Sequence, residues 1–337
     1  MIRPENIVLA HGSGGRLSRE LVESVFLKSF SNPALLPLED AAEVRLGGVR
    51  LAFTTDSYVV SPLEFPGGDI GRVAVCGTVN DLAVKGAKPA ALSAGFILEE
   101  GFPVRLLARI CNSMRRAALE AGVSIVTGDT KVVEKGHADG VFINTSGVGL
   151  IAAGCELSSA AVRPDDLVIV SGNLADHGVA VMNARNRLGL EGGVKSDAAP
   201  LNGLIAAALR AAGGIRAIRD ITRGGLATVL NEVSGACGFS VEVDEETVPV
   251  SSAAKNACAL LGLDPLYVAN EGKIVLFVPP RQAGRALAAL RRHKYGRHAA
   301  IVGRVLAEPR PQVRLRTAIG GSRVMLMLEG EQLPRIC

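Results

Sequence analysis

Apolar and polar positions divide the chain into short strands and amphipathic helices. Residues 49–60, VRLAFTTDSYVV, are rich in β-branched residues and predict a strand. Residues 69–87 follow with helical spacing at Ile70, Val73, Ala74 and Gly77, and acidic and amide residues sit in the later turns. ALSAGFIL (91–98) predicts a second strand, and 103–122 an amphipathic helix that Pro103 starts and on whose apolar face Cys111 is expected to be core. VSIVTGDT (123–130) and VFINTSGVGLI (141–151) predict strands that complete a mixed half, taken as residues 1–154.

The polar, proline-bearing stretch CELSSAAVRPDD (155–166) interrupts this pattern and is the candidate boundary. A second half, 155–328, restarts with a strand at 166–172, helices at 174–189 and 201–213, a strand at 216–221 and a helix at 225–238. Strand 273–280, helix 281–292 and strands 299–306, 312–319 and 323–328 complete it. Both halves have the material to bury a sheet under helices, an α/β domain followed by an α+β domain. The alternation ends after Leu328, leaving 329–337 as a flexible tail that closes on QLPRIC.

Composition narrows the function. With 337 residues, 48% of them hydrophobic and 21% charged, the chain has ample core for two domains. The net charge of +4 argues against nucleic acid as a main partner, and the one basic run, RRHKYGRH (291–298), reads as a solvated helix end. No apolar run is long enough to span a bilayer and no signal layout is present, so a cytoplasmic protein without a membrane partner is expected. Six cysteines stand far apart with no CxxC pair, which indicates neither a zinc site nor a disulfide framework.

The chemistry-bearing residues fall in polar clusters between apolar elements. Asp56, Asp81, Asp129 and Asp220 lie beside Thr, Asn and Gly, and oxygen donors of this kind suit a hard cation such as Mg²⁺ bridging protein to phosphate. HGSGGRLSRE (11–20) leads glycine amides, at Gly12, Gly14 and Gly15, into a helix beside His11, a geometry that can wrap an anion. Arg223 with Gly224 repeats the idea in the second half, and Lys131 adds a positive charge next to Asp129 and Thr130. Glu271 in NEGK can serve as a base or a ligand.

HGSGG, TTDS, VNDLAVKGAKP, TGDTKVV, DITRGGL, NEGK and the closing PRIC, in this order over essentially the whole chain, resemble the HypE family of hydrogenase maturation proteins. The wider superfamily is PurM-like and includes selenophosphate synthetase. The resemblance implies a two-domain fold whose N-terminal domain forms a β-barrel with a second subunit in a homodimer, with ATP in the cleft between domains. It implies an ATP-dependent carbamoyl dehydratase in which Cys337 receives a carbamoyl group from the HypF carbamoyltransferase. The resulting S-carboxamide is dehydrated to a thiocyanate, and cyanide passes to a HypC–HypD complex for the [NiFe]-hydrogenase centre. Carried onto this chain, Asp56, Asp81 and Asp220 become the Mg²⁺-nucleotide carboxylates, with Asn80 and Asp129 close by. Lys131 and Glu271 become catalytic candidates. Lys85 is basic where the family pattern leads one to expect a more neutral residue, and it is left outside the site.

Overall fold

In the computed structural model, residues 6–186, 188–189 and 193–330 are described. Cys337, on which the carrier role falls, lies outside the described residues.

The first half begins with short helices α1 (Arg16–Leu21) and α2 (Leu27–Phe30). Strands β1 (Ala42–Leu46) and β2 (Val49–Tyr58) form a hairpin, and a small ribbon of β3 (Glu64–Phe65) and β4 (Gly68–Asp69) leads into helix α3 (Ile70–Val84). Then come β5 (Ala87–Glu99), helix α4 (Val104–Ala121), β6 (Ser124–Val133) and β7 (Val141–Ile151). The five long strands pair in the order β1-β2-β7-β5-β6.

Helix α3 is buried on nearly every side, and Asp69 caps it by accepting from the Arg72 amide at 2.8 Å. Helix α4 is amphipathic, as its spacing requires. Its buried stripe runs through Ile110, Met114, Ala117, Ala118 and Ala121. Cys111 is one residue round from Ile110, off that stripe and exposed, which corrects its expected place in the core.

The second half supplies β8 (Leu167–Val170), α5 (Asp176–Asn186), α6 (Asn202–Ala211), β9 (Ala217–Asp220), α7 (Gly225–Cys237), β10 (Val241–Asp244) and α8 (Ser252–Leu261). It ends with β11 (Ile274–Val278), α9 (Pro280–Arg292), β12 (Ala300–Val305), β13 (Val313–Arg316) and β14 (Ser322–Val324). The sheet order is β14-β13-β10-β12-β8-β11-β9. Helix α7 packs on one face with Phe277 and Val275, while α6 and α9 pack on the other with Ile274, Leu276 and Val278. Strand β11 is buried along its whole length.

The last expected strand, 323–328, is cut short. The Met325 amide still donates to the Val313 carbonyl at 2.8 Å, but beyond it the backbone leaves the ladder: the Leu326 carbonyl accepts from the Tyr267 hydroxyl at 2.9 Å, and the Leu328 carbonyl from the Arg16 amide at 2.8 Å. Contacts with other elements replace the strand pairing at this point. Among the described residues no helix is long and apolar enough to cross a membrane.

Candidate active site between the two halves

Three buried elements carry the site. Strand β2 brings Asp56 and Tyr58, helix α3 brings Gly77 and Asp81, and the end of β9 brings Asp220, followed by Thr222 and Arg223. With Asp40 and Glu271 these line a cavity of about 180 Å³. Asp56, Asp81, Asp220, Arg223 and Glu271, distant in sequence, thus share one cleft.

The cleft is overloaded with negative charge. Burial raises the Asp81 carboxyl well above the usual range, and repulsion from Asp56, Asp220 and Asp40 adds to it. Asp220 is raised in the same way, by burial and then by Asp40, with Arg219 working against the rise. Asp40 holds the Arg219 guanidinium at 2.7 Å, and Arg219 also reaches Glu232 at 3.0 Å. The Thr54 hydroxyl lies 2.8 Å from Asp81 Oδ2, and the Tyr58 hydroxyl donates to Asp56 at 3.0 Å. Gly77 is required here, because a Cβ at that position would overlap the Tyr58 hydroxyl.

A cation fits this donor set. Buried carboxylates that repel one another are relieved by a bound positive charge. Among the described residues no three His, Cys, Asp or Glu side chains already converge into a finished metal cage. Mg²⁺ does not need one, since it usually keeps waters and takes one or two carboxylates together with substrate phosphates.

Other sequence candidates lie elsewhere. Asp129, Thr130 and Lys131 are on β6, at the sheet edge, and both charged side chains are 72% exposed and 3.7 Å apart. Register pairs Asp129 with Gly95 and Gly95 with Asn144, whose partner Ser57 alternates with Asp56. Asp129 therefore faces away from α3 and the cleft, so one chain alone does not bring it to Asp56, Asp81 and Asp220. Asn80 is buried and already engaged: Oδ1 accepts from the Leu201 amide at 2.7 Å and Nδ2 donates to the Ala199 carbonyl at 3.1 Å.

The glycine segment packs rather than lining the cavity. The Gly12 carbonyl accepts from Arg223 Nη1 at 2.9 Å, the Gly14 amide donates to Ser18 Oγ, and His11 Nδ1 accepts from the Val8 amide. A Cβ on Gly14 would press on Arg223, and one on Gly15 would overlap the Leu328 carbonyl. Gly224 takes positive φ at the start of α7, where a Cβ would overlap Thr228.

Three contributors were not singled out from sequence: Asp40, Tyr58 and the strap 196–201. The strap fastens to the first half through the Pro66 carbonyl, Arg72 Nε and Asn80, and it grips the Glu271 turn. Asp197 accepts from the Glu271 amide at 2.9 Å through one oxygen and from Lys273 Nζ at 2.8 Å through the other. Gly272 lies so close that a Cβ would overlap the Asp197 carbonyl. For Asp40 and Asp197 the sequence signal is an acidic cluster, LEDAAE (38–43), and a single aspartate among small residues, KSDAAP (195–200).

This two-domain arrangement around a carboxylate cleft defines a class. The pattern of the AIR synthase related protein N-terminal domain matches residues 38–151 and that of the C-terminal domain residues 163–316, and the chain belongs to that family. Its resemblance to particular members is much closer. The carbamoyl dehydratase HypE of Rhodobacter capsulatus is 54% identical over 100% of this chain and 99% of its own length, and that of Escherichia coli (strain K12) is 48% identical over 98% and 99%. A solved HypE–HypF complex aligns at TM-score 0.87 and 48% identity, over 91% of this chain and 99% of that one. A HypE solved in complex with ATP aligns at 0.83 and 48%, over 98% and 100%. Within the PurM-like superfamily the chain is a member of the HypE family.

Proposed function

We propose that this chain is an ATP-dependent carbamoyl dehydratase that converts an S-carboxamide on Cys337 to a thiocyanate, the source of cyanide for [NiFe]-hydrogenase. The observation that supports it most is the carboxylate cleft of Asp56, Asp81 and Asp220 beside Arg223 and Glu271. It occurs in a chain about half identical to carbamoyl dehydratases along their length, and a HypE of 48% identity was solved in complex with ATP.

Loss of an amide oxygen as water is slow because hydroxide is a poor leaving group. Transfer of the ATP γ-phosphoryl to that oxygen, with ADP leaving, gives a phosphorylated carboxamide. Removal of both N–H protons with departure of phosphate then forms the C≡N bond. Catalysis of the first step is chiefly positioning and charge neutralisation. Asp56, Asp81 and Asp220 would hold Mg²⁺, which when bound offsets the charge on the ATP phosphates. Arg223 orients the phosphates at the open side of the cleft. Glu271, seated by Asp197 and Lys273, is the base that takes the amide protons.

Asp129, Thr130 and Lys131 join the site from a second copy of the chain. Asp129 and Lys131 stand on the sheet surface that helices leave bare, among Phe53, Ile97 and Leu150, with Thr130 between them on the edge strand, and a homodimer packed on that surface brings one copy's β6 toward the other's cleft. HypF delivers the carbamoyl group and a HypC–HypD complex receives the cyanide, all in the cytoplasm.

Intact-mass measurement tests the reading. Protein carbamoylated on Cys337 and mixed with MgATP is expected to lose the mass of one water. Unchanged mass while ATP is bound would sink the proposal, and Cys337→Ser serves as the uncarbamoylated control.

A further inference from the structure

The elements that carry the acidic cleft end, at their other extremity, in cations. Strand β2 runs from Arg50 to Asp56 and Tyr58, helix α3 runs from Gly77 and Asp81 to Lys85 at its C-cap, and Arg216 immediately precedes β9, which ends at Asp220. At that far end the two halves line a second, solvent-open cavity of about 830 Å³, larger than the cleft. Its walls are the connection 152–158 and the glycine-bearing turn after α6, with Arg210 in the last turn of that helix. Arg45 and Arg50 are on the helix-covered side of the sheet, because Arg45 pairs with Arg50 and the neighbouring Glu43 pairs with the fully buried Ala52. The cavity is therefore separate from the bare sheet surface assigned to dimer packing.

We propose that this cavity is a binding site for a phosphorylated organic molecule, distinct from the ATP cleft. Arg45, Arg50, Lys85, Arg210 and Arg216 line it against only two carboxylates, Glu43 and Glu156. The C-terminal ends of α3 and α6 add about half a negative charge each, which leaves an excess of about two positive charges. Asp166, 3.7 Å from Arg216 Nε, lowers that excess from behind. Arg50 is fixed by two bonds to Glu43, at 2.9 and 2.7 Å, and one to the Cys155 carbonyl at 2.9 Å. Lys85 donates to the Leu157 carbonyl at 3.2 Å, and among the described residues neither Lys85 nor Arg210 forms an ion pair. This arrangement leaves two cations free for an anion beside one held rigidly in place.

Leu157, Leu209 and Ile215 supply an apolar wall among these charges. A cavity of this size in which apolar side chains alternate with convergent cations suits a small organic ligand carrying a phosphate better than bare phosphate. The basic Lys85, unexpected beside the family pattern, thereby acquires a role outside the catalytic cleft.

Cys155 lines the cavity and Cys111 is exposed elsewhere, so the two thiols give a reporter and an internal reference. Full-length protein would be alkylated with iodoacetamide, without divalent cations, and the rate at each cysteine read by peptide mass spectrometry. The probe is phenyl phosphate, compared with benzyl alcohol and inorganic phosphate. Alkylation of Cys155 should slow about tenfold when phenyl phosphate is at ten times its dissociation constant, while Cys111 is unaffected. Benzyl alcohol should give no protection. Lys85→Gln with Arg210→Gln should abolish the protection while the thermal shift given by MgATP persists, which shows that the variant is folded and its cleft competent. Absence of protection at tens of millimolar, or protection that survives the double substitution, would overturn the site. Equal protection by inorganic phosphate would overturn its assignment to an organic phosphate.

Discussion

The two sheets of this chain are built to different degrees of completion. In the second half helices cover both faces, and β11 is buried from Ile274 to Val278. In the first half α3 and α4 cover one face only, and β6 is exposed along nearly its entire length. Phe53 on the bare face is 49% exposed and Val126 on the edge 65%. The finished sheet secures the fold, whereas the unfinished one has apolar area still to bury, and the candidate site residues divide along the same line. Asp81 and Asp220 are inside; Asp129 and Lys131 are outside.

The largest expected effect is on the inside. Asp81→Asn, nearly isosteric, should lower thiocyanate formation by about 10³-fold or more, read as water loss by intact mass, with little change in fold. Lys131→Ala should also inactivate, but in a way that reveals which chain it serves. Mixed with Asp81→Asn protein, it should restore about a quarter of the native rate, since half of randomly formed dimers carry one intact site. If the mixture stays inactive although the subunits exchange, Lys131 acts within its own chain, and if Lys131→Ala alone keeps full activity, Lys131 has no part in the reaction. If the proposed dimer packs on this surface, Phe53→Asp should leave the protein monomeric in light scattering while changing the monomer's thermal midpoint little, because the substituted side chain is exposed in one chain.

A subtler effect is expected at the strap. Asp197→Asn keeps the shape but weakens its hold on the Glu271 turn and Lys273, so kcat should fall up to about 10²-fold with KM for ATP nearly unchanged. A parallel rise in KM would place Asp197 in nucleotide binding instead.

The smallest effect is in the ties between halves. Burial pushes the Glu120 carboxyl up, but Lys294, Tyr295 and Arg72 bond to it and bring it down to about 2. A depressed folded value means that this stabilisation is present above the unfolded carboxylate range and is lost as pH falls toward about 2. Glu120→Gln should lower the thermal midpoint by about 2 °C at neutral pH, the partly exposed setting keeping the effect small. The gap between the two proteins should close as the pH falls below about 4.5.

Periodicity made most of the fold legible. The α3 and α4 helices, strands β2 and β7 and the long second-half helices begin and end near the residues where the apolar pattern changes. What escaped was determined by contacts across sequence. Cys111 has the helical residue type of a core position, yet only the packing direction of α4 decides which flank is covered. Residues 325–328 are an apolar run of the kind a strand shows, yet the Leu326 and Leu328 carbonyls accept from Tyr267 and Arg16. In the site, Asp56, Asp81, Asp220, Arg223 and Glu271 announced themselves by polar clusters in apolar surroundings. Asp40 and Asp197 sit in equally small motifs, but their value comes from Arg219 and from the Glu271 amide, partners far away along the chain. Motif reading put Asp129 with the other aspartates because it does not distinguish the two faces of a strand. The β-register does.

The contact of Gly15 and Arg16 with Leu328 has a consequence for rate. It pins the root of the segment that leads to Cys337, and the Arg16 pair with Glu329 at 3.6 Å adds a second tie. Nine residues from such a fixed origin cannot carry a group beyond about 30 Å. If Cys337 carries the substrate as proposed, a cargo confined to that radius is present at millimolar effective concentration around its own molecule, whatever the protein's dilution. Turnover of a loaded molecule should therefore be first order, and a side chain at Gly15, by shifting the origin, would change that local concentration without touching any reacting atom.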